Sequence, residues 1–260
     1  MWAHRGDSVH HPENTVEAFE AAVSTGADGV ELDVQLSRDR RVVVCHDETL
    51  ERVSNGHGLV GAHTWALLRR LDVSRTHPGS GRAAMPLLDE ALEAMAPTGR
   101  EVNVELKNHI VAQPGLAEEV LSVVADHAMD DRVVLSSFNH RCLARMATLG
   151  RRPRLAVLLG DDIVEPWCYA RQLGVEAVHP RAAFVLGRDD PTTSHRGDLA
   201  RYRREGLGVR VWTVDRPVDI RRAAALGVDT VMTNDPARAL WALGRGRPSD
   251  LDDLAHDHRA

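Results

Sequence analysis

Short apolar runs recur along the chain and alternate with stretches whose apolar positions repeat every three to four residues. The runs predict strands at Trp2–Arg5, Gly29–Val34, Glu101–Lys107, Arg132–Ser136, Arg154–Leu158, Ala177–His179, Gly208–Thr213 and Thr230–Thr233. The amphipathic stretches predict helices at about Glu13–Ser24, from near Leu87, and at Ala117–Asp126, His140–Leu149, Ile163–Leu173, Leu199–Glu205, Pro217–Leu226 and Pro236–Leu243. Strand and helix in strict alternation are the mark of a parallel sheet wound by helices.

Two regions depart from this rhythm. A short extended piece, Val42–Cys45, follows the second strand, and the chain from Asp47 to Met85 is then punctuated by Gly56, Gly58, Gly61, Pro78, Gly79 and Gly81. Residues 48–85 therefore read as a long excursion between a strand and the next helix, where lids and specificity elements are commonly built. Its histidines, His57, His63 and His77, read as solvated loop residues. At the other end, 245–260 reads as a flexible tail whose two close histidines are weak grounds for a metal site.

Polar residues gather where the predicted strands end. Side chains at i and i+2 of a strand share a side, so Glu31 and Asp33 in V-E-L-D-V present two carboxylates to one place. An exposed edge strand would solvate them; buried, they would repel and call for a cation. Oxygen-only ligands suit a hard ion such as Mg²⁺ or Ca²⁺. Glu105 and Lys107 share a side of their strand in the same way. Of 32 basic residues, 31 are arginine, so Lys107 is the only lysine in the chain.

The pieces H-R-G at His4, P-E-N-T at Pro12, G-A-D-G-V-E-L-D-V at Gly26 and V-V-V-C-H-D at Val42 come in a distinctive order. With P-L-L-D-E-A-L, N-V-E-L-K, S-S-F-N, V-W-T-V-D and G-V-D-T-V-M-T-N-D-P, they cover nearly the whole chain. In this order they resemble the glycerophosphodiester phosphodiesterase family, whose fold is an α/β (β/α)8 TIM barrel. A length of 260 residues suits one such barrel, about 250 being typical. Residues 1–244 are expected to form it, and its active site lies at the carboxyl ends of the strands.

The resemblance implies metal-dependent hydrolysis of glycerophosphodiesters to sn-glycerol 3-phosphate and an alcohol. Glu31, Asp33 and Glu105 are then the ligands of one divalent ion, Mg²⁺ or Ca²⁺ with Mn²⁺ as an alternative, acting as Lewis acid and template. Arg5 and Lys107 offset charge on the phosphoryl oxygens. The resemblance makes His4 and His46 the general acid and base, without dividing the two roles between them. Glu13 and Asn14 have a local alternative, since they stand where a helix begins and Asn can cap it; the resemblance places them in the pocket. Trp212 is either core or, as the resemblance implies, a cover over the glycerol skeleton. Asp215 stands where many relatives have Asn, and Asp7 and Ser8 also depart from the common pattern. Whether water or the glycerol 2-hydroxyl attacks phosphorus stays open.

Composition narrows the partners. With 43% hydrophobic and 27% charged residues the chain is ordinary for a soluble globular protein, and a net charge of −6 argues against nucleic acid. The three cysteines, Cys45, Cys142 and Cys168, lack metal-like spacing and point to a reducing compartment. No charged and apolar leader precedes the first strand and no run nears the ~18 residues of a membrane span, so a cytoplasmic protein without stable membrane insertion is expected. Nothing in the sequence sets the oligomeric state. Rival readings are a lysophospholipid-directed phospholipase D-like or C-like enzyme of the same superfamily, and a non-catalytic barrel that binds phosphorylated polyols.

Overall fold

The computed structural model describes residues 1–149, 153–187 and 199–246. Eight parallel strands close into a barrel. They are β1 (Trp2–His4), β2 (Gly29–Leu36), β4 (Glu101–Leu106), β5 (Val133–Ser137), β6 (Arg154–Leu159), β7 (Ala177–Pro180), β8 (Gly208–Val211) and β9 (Thr230–Thr233). Each pairs with the next, and β1 closes the ring by pairing with both β2 and β9. The (β/α)8 TIM-barrel fold expected from the sequence is the observed one. Among the described residues no helix is long and apolar enough to cross a membrane.

Alternation along each strand sorts the side chains. Ala3, Val30, Leu32, Val34, Val102, Val104 and Leu106 point outward into the core shared with the helices. Their neighbours point into the barrel, where Trp2, Val134, Ala156, Ala177 and Met232 fill the lower part. Arg210 is buried there too; its guanidinium lies 4.9 Å from the Trp2 ring centroid and donates to Glu176 at 3.0 Å.

Strand β2 outlasts its neighbour β1, and this explains the extra extended piece. Beyond Glu31 the β1 side of β2 is vacated, and β3 (Val42–Val44) takes it over in antiparallel register, Val34 opposite Val44. The Gln35 side chain then donates to the backbone carbonyls of Cys45 and Asp47, at 3.0 and 2.6 Å, and fixes the chain just around His46.

The excursion after β3 is more ordered than its glycines and prolines suggest. It holds a single-turn helix, α2 (Trp65–Leu68), and packs Leu50, Val53, Val60, Leu68, Val73 and Met85 against Val43 and Cys45. This is a second small core seated on β3. His57 is exposed; His63 and His77 are half-buried and bond to the carbonyls of Leu59 and Val9.

Helix boundaries shift where local chemistry overrules periodicity. Helix α1 spans Val16–Thr25 and starts three residues later than expected, because Asn14 sits in the left-handed region at φ 60° and Thr15 supplies the cap to the Ala18 N–H. The helix after β6 starts at Pro166, not Ile163, with the proline in its first turn. β8 stops at Val211, and Trp212 makes only an isolated bridge to Arg181. Residues 247–260, most of the expected tail, lie outside the described residues.

Candidate active site

The register of three strands assembles the carboxylates. His4 lies opposite Glu31 on β1 and β2; Glu31 lies opposite Asn103 and Asp33 opposite Glu105 on β2 and β4. All four acidic and imidazole side chains turn inward at the carboxyl end of the barrel. One oxygen from each of Glu31, Asp33 and Glu105 lies within 4.8 Å of the others, and all three residues are buried. No group among them is soft, so the donor set suits a hard divalent cation.

Two cations already crowd this charge. Lys107 Nζ is 2.8 Å from Glu105 and 3.6 Å from Asp33, and Arg5 Nε is 3.3 Å from Asp33. The charge balance is uneven. Burial, then Asp33 and Glu105, push the Glu31 carboxyl well above its ordinary range, and burial and Asp33 push Glu105 up. Burial opposes ionisation of Asp33 as well, yet Lys107, Arg5 and the Asn14 amide hold it below the ordinary range. Two cations therefore do not satisfy three carboxylates. The residual negative charge and the oxygen donors fit a resident divalent ion.

Arg5 reaches this place through a strained turn. Its φ is 59°, uncommon outside glycine, and the turn lets its backbone N–H donate to Glu31 at 3.0 Å while its guanidinium donates to Glu13 at 2.9 Å. Gly6 follows at φ 81° because α1 passes so closely that a Cβ would lie 2.7 Å from Ala18. The H-R-G triplet is thus a turn fitted under a helix. Asn14 mirrors Arg5: its amide donates to Asp33 at 2.9 Å and its carbonyl accepts the Asp33 N–H at 3.3 Å. The cap belongs to Thr15, not Asn14, while Glu13 pairs with Arg5 and Asn14 with Asp33.

The two histidines flank the carboxylates in different settings. His4 Nδ1 bonds Asn234 Oδ1 at 2.7 Å, and Nε2 lies 3.8 Å from Glu31. Burial and the Arg5 charge lower His4 to about 4. His46 Nδ1 bonds Asp47 at 2.6 Å. His4, His46, Arg5, Glu31, Glu105, Lys107 and Trp212 line one cavity of about 210 Å³, whose apolar wall includes Phe138 set edge-on to Trp212 at 5.5 Å. A larger cleft of about 630 Å³ lies on the other side of Trp212, bordered by Arg181, Phe184 and Arg216. None of the three carboxylates and neither His4 nor His46 lines it.

Residues 4–238 match the Glycerophosphoryl diester phosphodiesterase family. This chain belongs to that family. It is 34% identical to a glycerophosphodiester phosphodiesterase of Caldanaerobacter subterraneus subsp. tengcongensis, over 94% of this chain and 97% of that protein. A Bacillus altitudinis glycerophosphodiester phosphodiesterase is 37% identical, over 92% of this chain and 96% of that one. Among solved structures, an Oleispira antarctica phosphodiesterase in complex with the product sn-glycerol-3-phosphate superposes with a TM-score of 0.83. It is 26% identical, covering 94% of this chain and 96% of that one.

In this family member the structure also brings in residues that sequence reasoning passed over. Arg52, from the excursion, donates to both Asp47 oxygens and to both Glu13 oxygens at 2.6 to 3.0 Å, locking the excursion to the pocket rim. Nothing in its sequence context marks it. Asn103 is buried, lines the cavity, and leaves Oδ1 without a hydrogen-bond partner among the described residues while its amide donates to Ser136. Its place in N-V-E-L-K, two residues before Glu105, was the available signal. Asn234 sits inside T-N-D-P, and only its contact with His4 reveals a role.

Proposed function

We propose that this chain hydrolyses glycerophosphodiesters to sn-glycerol 3-phosphate and an alcohol, with a divalent ion held by Glu31, Asp33 and Glu105. One observation carries the reading: in a member of this family, three buried carboxylates cluster at a cavity that two of them line together with two cationic side chains and two histidines. When bound, the ion would supply Lewis-acid stabilisation of a phosphoryl oxygen and orient the substrate. Mg²⁺ and Ca²⁺ are the ions the donor set favours, with Mn²⁺ as an alternative.

The chain's own groups divide the remaining work. Arg5 offers a planar fork and Lys107 a compact charge to the nonbridging oxygens, both pre-placed before charge develops. His4 and His46 act as the acid–base pair, one activating the attacking oxygen and the other protonating the departing alkoxide. Asp47 holds the His46 ring through Nδ1, leaving Nε2 for the proton. Trp212 and Phe138 form the apolar wall against which the glycerol carbons lie. Glu13 and Asn14 hold Arg5 and Asp33 in place.

The test is a panel of glycerophosphodiesters and lysophospholipids assayed with Mg²⁺, Ca²⁺ and Mn²⁺, with products identified. Release of glycerol 3-phosphate that stops on chelation and returns with a divalent ion supports the reading. Full activity in a verified metal-free preparation removes the ion from it. His4→Ala and His46→Ala should each lower kcat by on the order of 10²-fold or more, and together by much less than the product.

A further inference from the structure

We infer that Asp215, acting through Asn234, is a positioning residue that selects the tautomer of His4, holding the proton on Nδ1 and turning a bare Nε2 toward the carboxylates. The inference rests on the reading of His4 as an acid–base residue, and extends it to two residues that do not line the 210 Å³ cavity.

Three donors converge on the Asp215 carboxylate: Thr233 Oγ1 at 2.9 Å and the Asn234 backbone N–H at 2.8 Å on one oxygen, and Asn234 Nδ2 at 2.8 Å on the other. A carboxylate in this position only accepts, so the Asn234 amide must face it with its NH₂. Asn234 Oδ1 is thereby turned to His4, where it accepts from Nδ1–H at 2.7 Å. The orientation of an amide and the tautomer of an imidazole are individually ambiguous, but here an acceptor-only group at the end of the chain fixes both.

The nearby hydroxyl does not compete for this role. Ser8 Oγ lies 2.9 Å from the His4 carbonyl and 3.1 Å from Asn234 Oδ1, so it can give its hydrogen to the first and adapt to either face of the amide. On the Nδ1 side of the ring, selection falls to Asp215. The same geometry serves His4 when Nε2 carries a proton, because Nδ1–H has the same acceptor in both states.

Replacing the carboxylate by an amide should reverse the whole chain. In Asp215→Asn the new Oδ1 must still meet the fixed Asn234 backbone N–H, which turns the new NH₂ toward Asn234. The Asn234 amide then flips, presents NH₂ to His4, and forces the proton onto Nε2. The exchange Asp215→Asn with Asn234→Asp repairs the pattern: the amide introduced at position 215 gives its NH₂ to the new carboxylate, which accepts from His4 Nδ1–H.

The experiment is nitrogen-15 NMR of histidine-labelled protein, with the His4 signals picked out from the 14 histidines by their loss in His4→Gln. The wild type should show a protonated Nδ1, and Asp215→Asn a bare Nδ1 with Nε2 protonated. Kinetically, Asp215→Asn should lower kcat by on the order of 10²-fold with KM little changed, as a wrong tautomer does. The double exchange should restore Nδ1–H and most of the rate. A bare Nδ1 in the wild type overturns the proposal, and so does an Asp215→Asn protein that keeps Nδ1–H and wild-type kcat. If Asp215→Asn does not fold, the wild-type and double-exchange spectra still decide. A wild type with Nδ1–H but no hydrolysis would instead sink the functional reading and leave the tautomer selection standing.

Discussion

Glu31 is held in the folded protein against its own chemistry. Its folded pKa is raised by burial and by Asp33 and Glu105, so its contribution to stability is present below the ordinary carboxylate pKa of 4.5 and is lost as pH rises through the raised value. At neutral pH it therefore destabilises the metal-free fold. Glu31→Gln should raise the Tm of the metal-free protein, by roughly 2–4 °C for each kcal/mol relieved, and should cancel the Tm rise that a divalent ion produces in the wild type. An unchanged or lower metal-free Tm would count against charge crowding at this site. Lys107 is a matched case on the cationic side. Lys107→Ala should lower kcat and kcat/KM together by about 10²-fold, and Lys107→Arg should fold yet remain clearly impaired, because a broad planar head must fit where a compact one lies 2.8 Å from Glu105. Wild-type kinetics in Lys107→Arg would show that any cation serves.

Helix α1 and the excursion each brace the rim of the pocket. The close pass of α1 over Gly6 leaves no room for a methyl group, and φ 81° adds backbone strain for any other residue. Gly6→Ala should cost about 1–3 kcal/mol, read as a lower urea midpoint, and should reduce activity because Arg5 moves with the turn. The excursion acts through Arg52, whose side chain is 42% exposed and whose ion pairs therefore add little to stability. Arg52→Ala should leave the urea midpoint nearly unchanged while lowering kcat/KM roughly 10-fold, since Glu13 and Asp47 lose the group that orients them. A large loss of stability with no kinetic effect would make Arg52 a structural clamp only.

At the scale of the whole barrel, the interior below the site contributes acid sensitivity to the fold. His179 is fully buried, its Nδ1 has no hydrogen-bond partner among the described residues, and burial together with Arg210 lowers it well below 6.5. A histidine that is neutral when folded takes up a proton when unfolded, so its stability contribution is full above the ordinary value of 6.5 and falls as pH drops below it. The raised Glu31 and Glu105 oppose this term, so it is read as a difference: on going from about pH 7 to pH 5, the urea midpoint of His179→Gln should fall less, or rise more, than that of the wild type. An equal change in the variant would assign the acid sensitivity elsewhere.

The alternation of apolar runs and amphipathic stretches determined a parallel sheet wound by helices, because a parallel strand buried on both faces and a helix buried on one leave different periodicities in the chain; its closure into a barrel was implied by the ordered motifs. It also determined the acidic cluster in part: Glu31 with Asp33, and Glu105 with Lys107, share a side by strand geometry alone. What periodicity could not supply is register between strands. Only the closed barrel sets Asp33 opposite Glu105 and His4 opposite Glu31, and only the truncation of β1 at His4 opens the ladder position that β3 fills to bring His46 in. The local sequence of Asn14 permits a cap as readily as a place in the pocket; a contact with Asp33, 19 residues away, decides between them. Arg52 and Asn234 were illegible for the same reason. Their partners lie far along the chain, Glu13 at a separation of 39 and His4 at 230, and contacts of that range are made by folding, not by local pattern.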